Sequence, residues 1–319
     1  MRAVQVAHAG ALLELVERAL PEPAAGEVRI TVQACGVCHS DSVTIQGYMP
    51  GIPYPIIPGH EVTGVIDKLG EGVTRWRVGQ RVGVGWFGAH KDELTGVTRD
   101  GGYAEAMTAS ADALASIPDD LSVIDAAPML CAGNATFVAL RACGAAPGDI
   151  VAIQGIGGLG HLAVQFAARM GFSVIAIDRG SDRASLAHEL GAHHYIDADA
   201  GDVAQALAAR GGARVILAVH DNAAAMSAIV DGLTADGKLI ILGVPEAPIT
   251  VASRLLLSGR AIEGSQAGPA ADSEAVMAFI NLVNVRPMVE TMPLAQAAEA
   301  YERMMTGQAR FRIVLVTGL

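Results

Sequence analysis

Cys38, His60 and Cys131 are the residues whose types and settings could do chemistry. Cys38 lies in Cys35-Gly36-Val37-Cys38-His39-Ser40-Asp41, His60 in Pro58-Gly59-His60-Glu61, and Cys131 in Pro128-Met129-Leu130-Cys131-Ala132-Gly133. Two thiolates and one imidazole leave one position open on a tetrahedral zinc ion, which is what a catalytic metal site needs. Beyond Cys131 stands Gly155-Ile156-Gly157-Gly158-Leu159-Gly160, a dinucleotide fingerprint. A Lewis acid beside a nicotinamide implies hydride transfer at an alcohol or carbonyl carbon.

Neighbouring residues suit that chemistry. Asp41, three residues past Cys38, is placed to accept the second ring N–H of His60 and fix its tautomer. Glu61 is a candidate fourth ligand, or a charge held behind the ligands. Ser40 offers the hydroxyl nearest the open position, where it would take the proton of an alcohol. The close pair Cys35/Cys38 has other meanings, a redox pair or half of a zinc knuckle. No second close cysteine pair exists and no thioredoxin-like pattern surrounds this one. Cys35 and Cys143 read as small buried hydrophobes. Any one of Cys38, His60 and Cys131 alone is more often a core residue than a ligand, so the case rests on all three.

The elements that must position these groups fall into two rhythms. Residues 27–32 and 60–68 alternate polar and apolar, and 81–86 is a short β-rich run, so the first 120 residues read as a small β-barrel. Prolines 50, 53, 55 and 58 punctuate a loop between them. From residue 150 strands alternate with helices. Strands are expected at 150–154, 173–177, 215–219 and 238–242, and helices at 159–169, 181–190 (with Ser181 as N-cap) and 223–233. That order predicts a parallel sheet covered on both faces. Helices at 273–284 and 294–305 and a strand at 311–316 close the chain. Residues 150–168 lack any charged residue, yet Gln154, His161, Gln165 and four glycines make them a strand, a turn and a helix rather than a membrane span.

The glycine fingerprint follows a predicted strand and opens a predicted helix, the context it requires. Gly155, Gly157 and Gly160 allow the tight turn and the approach of backbone to pyrophosphate, with Gly158 and Leu159 between them. Asp178 falls at the end of the second strand, 178 − 155 = 23 residues on. A carboxylate there binds ribose hydroxyls and repels a 2′-phosphate, which selects NAD. Arg179 and Arg183 carry the competing NADP reading. Arg179 itself is expected over the adenine or in solvent.

Composition sets the outer bounds. A chain of 319 residues can hold two domains with their own cores. With 51% hydrophobic and 17% charged residues it is a globular rather than a disordered sequence. A net charge of −11 argues against nucleic acid and anionic membrane as partners. It would also repel a dinucleotide, so a cofactor site needs local cations or helix N-termini. Four cysteines are too few for a disulfide scaffold. Only Arg2 is charged before Glu14, and no long apolar run follows, so no signal peptide and a cytoplasmic location are expected.

The runs CGVCHSD (35–41), PGHEVTG (58–64), GQRVGVGW (79–86), DGGYAE (100–105), CAG (131–133), GIGGLGHLAVQ (155–165) and FRIVL (311–315) together carry a resemblance. The chain resembles a zinc-dependent alcohol dehydrogenase of the medium-chain dehydrogenase/reductase family, in its bacterial branch. The likeness runs from Met1 to Val316. It implies an α/β protein with a GroES-like β-barrel catalytic domain (1–131 and 266–319), a Rossmann doubly wound domain (132–265), and an active-site cleft between them. It implies zinc ligands Cys38, His60 and Cys131, with Glu61 as an exchanging ligand, and pyrophosphate contacts from His39 and Arg312. Nicotinamide contacts are implied near Val244 and Ser265, and a substrate pocket at Ser40, Met49 and Trp86. The expected partner is a small alcohol or aldehyde, and the expected assembly a homo-dimer or homo-tetramer.

The chain departs from the family pattern at three places. Relatives carry four clustered cysteines between Trp86 and the DGGYAE run, holding a structural zinc. Residues 87–100 contain none, so one catalytic zinc and no structural zinc are expected. The polar stretch 88–93, with His90, Asp92 and Glu93, reads as a solvated loop. Val43 stands where a relay histidine often completes the proton path, so the proton is expected to pass from Ser40 to the nicotinamide ribose and water. Ala135 replaces a frequent threonine near the nicotinamide. The rival readings are a zinc-free quinone or enoyl reductase of the same fold, and a non-catalytic NAD(H)-binding protein.

Overall fold

Strand β3 shows how the sequence builds the frame of the first unit. Residues 27–32 alternate as expected, but the strand runs on through Glu27–Val37. Residues 34–37 are buried without alternation, because β3 is a central strand paired along both edges. The molecule is a computed structural model describing residues 1–90 and 92–318. Lys91, in the polar stretch 88–93, lies outside the described residues. The chain divides into two units, Met1–Asn134 with Ala267–Leu319, and Ala135–Gln266.

In unit 1, β1 (Arg2–Gln5) and β2 (Glu14–Glu17) form an antiparallel ribbon. β3 is followed by a single 3-10 turn (His39–Asp41) and by α1 (Ser42–Gln46). Then come β4 (Glu61–Leu69), β5 (Arg81–Val84), β6 (Ala106–Ser110), β7 (Leu114–Ser116) and α2 (Val123–Ala126). Helix α3 (Ala132–Ala142) spans the division between units.

Unit 2 holds β8 (Ile150–Gln154), α4 (Gly160–Arg169), β9 (Ser173–Asp178), α5 (Ala184–Glu189), β10 (His194–Asp197), α6 (Val203–Ala208) and β11 (Ala213–Ala218). It continues with α7 (Ala223–Ile229), β12 (Leu233–Ile241), α8 (Ser253–Leu256) and β13 (Ala261–Gly264). The chain then returns to unit 1 for α9 (Ala270–Leu282), β14 (Val289–Pro293), α10 (Ala297–Met305) and β15 (Arg312–Val316).

The sheet of unit 1 has the order β14-β15-β3-β4-β5-β7, with β6 also on β3. Only β14 and β15 run parallel; the other pairs are antiparallel. Its core gathers Val28, Ile30, Val62, Ile66, Tyr103, Met107 and Ile313. The sheet of unit 2 is fully parallel, in the order β10-β9-β8-β11-β12-β13. This is the doubly wound arrangement, with its switch point between β8 and β11. Among the described residues no single helix is long and apolar enough to cross a membrane.

Two elements differ from their expected spans for physical reasons. The helix expected from 181 begins at Ala184, and residue 183 rather than Ser181 occupies its N-cap. Arg183 instead reaches back to Asp178 and to the carbonyl of Ile156, which holds residues 181–183 as a turn. Strand β12 starts at Leu233, five residues before the expected 238. An Asp236-Gly237 pair reads as a turn, yet Asp236 takes φ 57 at an irregularity within the strand.

Candidate active site

Strand pairing brings the separated residues of unit 1 together. The register Gly36↔Glu61 places the end of β3 beside the start of β4. Cys38 follows one strand and His60 precedes the other. The register Ile313↔Val37 adds the start of β15, and with it Arg312. Cys131 ends the 3-10 turn Ala127–Leu130. That turn is pinned by Leu130, which lies so close to β5 that a Cβ on Gly83 would fall 2.7 Å from its Cδ2.

One ligand atom from each of Cys38, His60, Glu61 and Cys131 lies within 4.8 Å of all the others. The two sulfurs are 3.9 Å apart. Tetrahedral zinc with Zn–S of about 2.3 Å requires S···S of about 3.8 Å. His60 Nε2 and Glu61 Oε2 are buried and have no hydrogen-bond partner. A buried polar atom without a partner is costly, and a metal ion among these donors satisfies both. The residues present therefore fit zinc.

The groups behind the ligands are equally well defined. His60 Nδ1 lies 2.9 Å from Asp41 Oδ1, so it donates there and leaves Nε2 as the bare acceptor. Asp41 Oδ2 accepts from the Cys38 backbone N–H at 2.9 Å and from the Tyr103 hydroxyl at 2.8 Å. Arg312 Nη2 donates to Glu61 Oε1 at 2.6 Å. The ring of Trp86 meets His60 edge-on at 4.7 Å. Tyr103 had no role in the sequence reading, although its run was singled out. Its placement depends on Gly101 and Gly102, where a Cβ would fall 2.1 Å from the Gly59 carbonyl and 2.3 Å from Val62. The glycines let residues 101–103 hydrogen-bond onto residues 57–59, just ahead of His60.

Electrostatics single out Cys38 as the donor favoured in its anionic form. A hydrogen bond from Cys131 and the nearby His60 hold the Cys38 thiol well below its usual pKa, against the penalty of burial. Cys131 keeps its proton through that same bond and through burial, so its pKa is pushed well up. Burial pushes His60 down, but the Asp41 carboxylate and Cys38 outweigh it and leave it raised. Burial raises Glu61, with Arg312 opposing. Metal binding requires all these donors in their deprotonated forms.

In unit 2 the glycine turn is built for close backbone approach. Gly155 has φ +103, a conformation that favours glycine. A Cβ on Gly160 would fall 1.9 Å from the Gly155 carbonyl oxygen. A Cβ on Gly157 would meet nothing within 4 Å, so open space lies over the turn where a side chain would otherwise stand. Asp178 Oδ2 accepts from the Ile156 N–H at 3.0 Å and from Arg183 at 2.6 Å, tying the carboxylate to the turn. Arg179 is largely exposed and pairs with Asp199 at 3.1 Å.

Residues 24–119 match the alcohol dehydrogenase GroES-like domain, and residues 158–282 match the zinc-binding dehydrogenase domain. The chain belongs to the medium-chain dehydrogenase/reductase family. It is 38% identical to an alcohol dehydrogenase of Geobacillus stearothermophilus, covering 99% of this chain and 98% of that one. It is also 38% identical to the alcohol dehydrogenase patD of Penicillium expansum, over 96% and 94% of the two chains. The solved alcohol dehydrogenase of Aeropyrum pernix superposes with a TM-score of 0.90 at 28% identity, over 99% of this chain and all of that one.

Among the other residues that the resemblance to medium-chain dehydrogenases marks, Ser40 is half-buried in the turn after Cys38 and His39 is exposed. Met49 is exposed in the loop past α1. Arg312 is buried against Glu61 rather than open to solvent. Val244, past β12, is exposed, and Ser265, past β13, donates its N–H to Ile241. Asn134, three residues past Cys131, is buried and bonds Gly268 and Ser273.

Proposed function

We propose that this protein is a zinc-dependent alcohol dehydrogenase that interconverts small alcohols and their aldehydes or ketones with NAD. The observation that carries the reading is the buried set Cys38, His60, Glu61 and Cys131, in which Asp41 leaves His60 Nε2 as a bare acceptor. When bound, zinc supplies Lewis acidity that lowers the alcohol pKa, and the nicotinamide supplies the hydride acceptor.

The chain's own residues do the positioning. Cys38, Cys131 and His60 are the fixed ligands, with Asp41, Tyr103 and the Cys38 N–H holding the imidazole in place. Glu61 would be a fourth, exchangeable ligand, and Arg312 gives its carboxylate a partner of its own. Ser40 Oγ would accept the alcohol proton while handing its own proton on towards solvent, Val43 offering no titratable side chain for the relay. Trp86 and Met49 give the pocket an apolar lining suited to primary aliphatic or benzylic alcohols.

Finer features rest on particular residues. NAD rather than NADP is supported by Asp178 at the end of β9, which would repel a 2′-phosphate. Arg183 beside it reduces that preference. A single zinc per chain, without the structural-zinc lobe, is supported by the absence of cysteine from residues 87–100. The edge position of β13 supports a dimer or tetramer joined through sheets.

The test is elemental analysis of protein purified without added metal, with turnover assayed in parallel. About one zinc per chain and alcohol oxidation with NAD are expected. Zinc-free protein that reduces quinones or enones with NAD(P)H would sink the reading in favour of the zinc-free reductase. Bound NAD(H) without turnover of any alcohol would favour a non-catalytic protein.

A further inference from the structure

His220 occupies the one crevice of unit 2 where a parallel sheet of this order takes its ligand. Ligands of such sheets sit outside the carboxyl ends of the strands, at the switch point. That point falls between β8 and β11. The register Ala218↔Gln154 makes these strands end level, and the Val219 N–H donates to the Gln154 carbonyl at 3.1 Å. Gly155, one residue past β8, faces His220, two residues past β11: a Cβ on Gly155 would fall 3.6 Å from His220 Cδ2. On the opposite side stands Gly243, two residues past the end of β12, whose Cβ would fall 1.8 Å from the His220 carbonyl oxygen. His220 is thus wedged between the glycine turn and the loop past β12.

Its chemistry is fixed as well as its place. The Asn222 N–H donates to His220 Nδ1 at 3.0 Å, so in the neutral ring the proton sits on Nε2. Asn222 is itself held by capping α7, its Oδ1 accepting from the Ala225 N–H at 3.0 Å. Burial pushes the His220 pKa down, and the nearby carboxylates of Asp221 and Asp178 recover only part of that. Among the described residues nothing accepts from Nε2. No motif marks this histidine in the sequence.

We infer that His220 is a cofactor-contact residue whose Nε2–H donates to an oxygen of the dinucleotide's sugar–phosphate. This inference rests on the dinucleotide reading of the glycine turn. An imidazole beside that turn adds a neutral side-chain donor to those of the backbone.

Two substitutions separate the donor from the packing. In His220→Asn the amide stands at the Nδ1 position, keeping the contact with Asn222 but losing the donor. In His220→Gln the amide nitrogen reaches the Nε2 position. The readout is NADH affinity by fluorescence titration of zinc-loaded, full-length protein, with NADPH titrated alongside. Loss of one such hydrogen bond corresponds to about tenfold in affinity. His220→Asn should bind about tenfold more weakly, and His220→Gln should stay within about twofold of the parent. Unchanged affinity in His220→Asn overturns the inference, and equal loss in both variants does so too, because the role is then packing. Failure of the parent protein to bind either nucleotide removes the dinucleotide reading, and this inference with it.

Discussion

The two units build their sites in opposite ways. In unit 1 the metal-competent set joins residues up to 131 − 38 = 93 positions apart, and side chains do the work. In unit 2 the cradle is one continuous turn, and backbone does the work, with Gly155 in a left-handed conformation and Gly160 against the Gly155 carbonyl. The first site exists only when β3 and β4 are paired in register and the turn that carries Cys131 is packed on β5. The second is nearly complete once a strand meets a helix. A long-range site fails with any one of its contributors. A local one fails only where a side chain enters its backbone.

Removing a ligand should break unit 1 alone. Cys131→Ser is expected to bring zinc from about one per chain to near none and to cut turnover by at least about a thousandfold. It should leave NADH binding within about threefold, a small change on the scale of one hydrogen bond. Metal analysis and fluorescence titration on the same sample check both halves. Retained zinc would remove Cys131 from the ligand set.

Asp41→Asn probes the layer behind the ligands. The amide oxygen can still accept from the His60 N–H, but the charge is gone and the amide nitrogen faces the Cys38 N–H, so zinc affinity should fall by about 10- to 100-fold. Competition with a chelator measures it. Affinity within twofold of the parent would mean that the carboxylate does not orient the imidazole.

Gly160→Ala is the mirror experiment in unit 2. The added methyl meets the Gly155 carbonyl oxygen, so NADH binding should weaken by at least about tenfold. Zinc content should not change. Loss of zinc in this variant would contradict the independence of the two sites.

The smallest effect lies at the edge of unit 1. A hydrogen bond from the Arg2 backbone N–H, aided by its guanidinium and opposed by slight burial, holds the Glu105 carboxyl below its usual pKa. Its contribution is complete above the unfolded value, about 4.3, and is lost as pH falls through the lowered folded value. Amide exchange in β1 should quicken as pH falls below about 4, after correction for intrinsic rates. In Glu105→Gln the acid step should disappear.

This contrast also decides what the sequence discloses. The two-part α/β fold was legible, because β8 and α4 around the glycine turn show both apolar rhythm and turn chemistry. The edge strands β10 and β13 went unread. They are short and only partly buried, so they carry no apolar run. In the candidate site, Cys38, His60, Glu61 and Cys131 stand out by type and setting. Tyr103 does not, because its link to Asp41 depends on the packing of residues 101–103 against 57–59. The grip of Arg183 on Asp178 was hidden likewise. A helix was expected to begin at 181, and the contact exists because it begins later.

The pairing of Trp86 with His60 gives the protein an optical gauge of its own. The chain has two tryptophans. Trp76 is buried, its indole N–H on the Ala111 carbonyl and Arg75 over its ring. Among the described residues only Trp86 meets the imidazole of His60. A protonated imidazole quenches an adjacent indole, and an imidazole committed to a metal ion cannot take up that proton. Filling of unit 1 should therefore be visible in the emission of a single residue, against the steady background of the other.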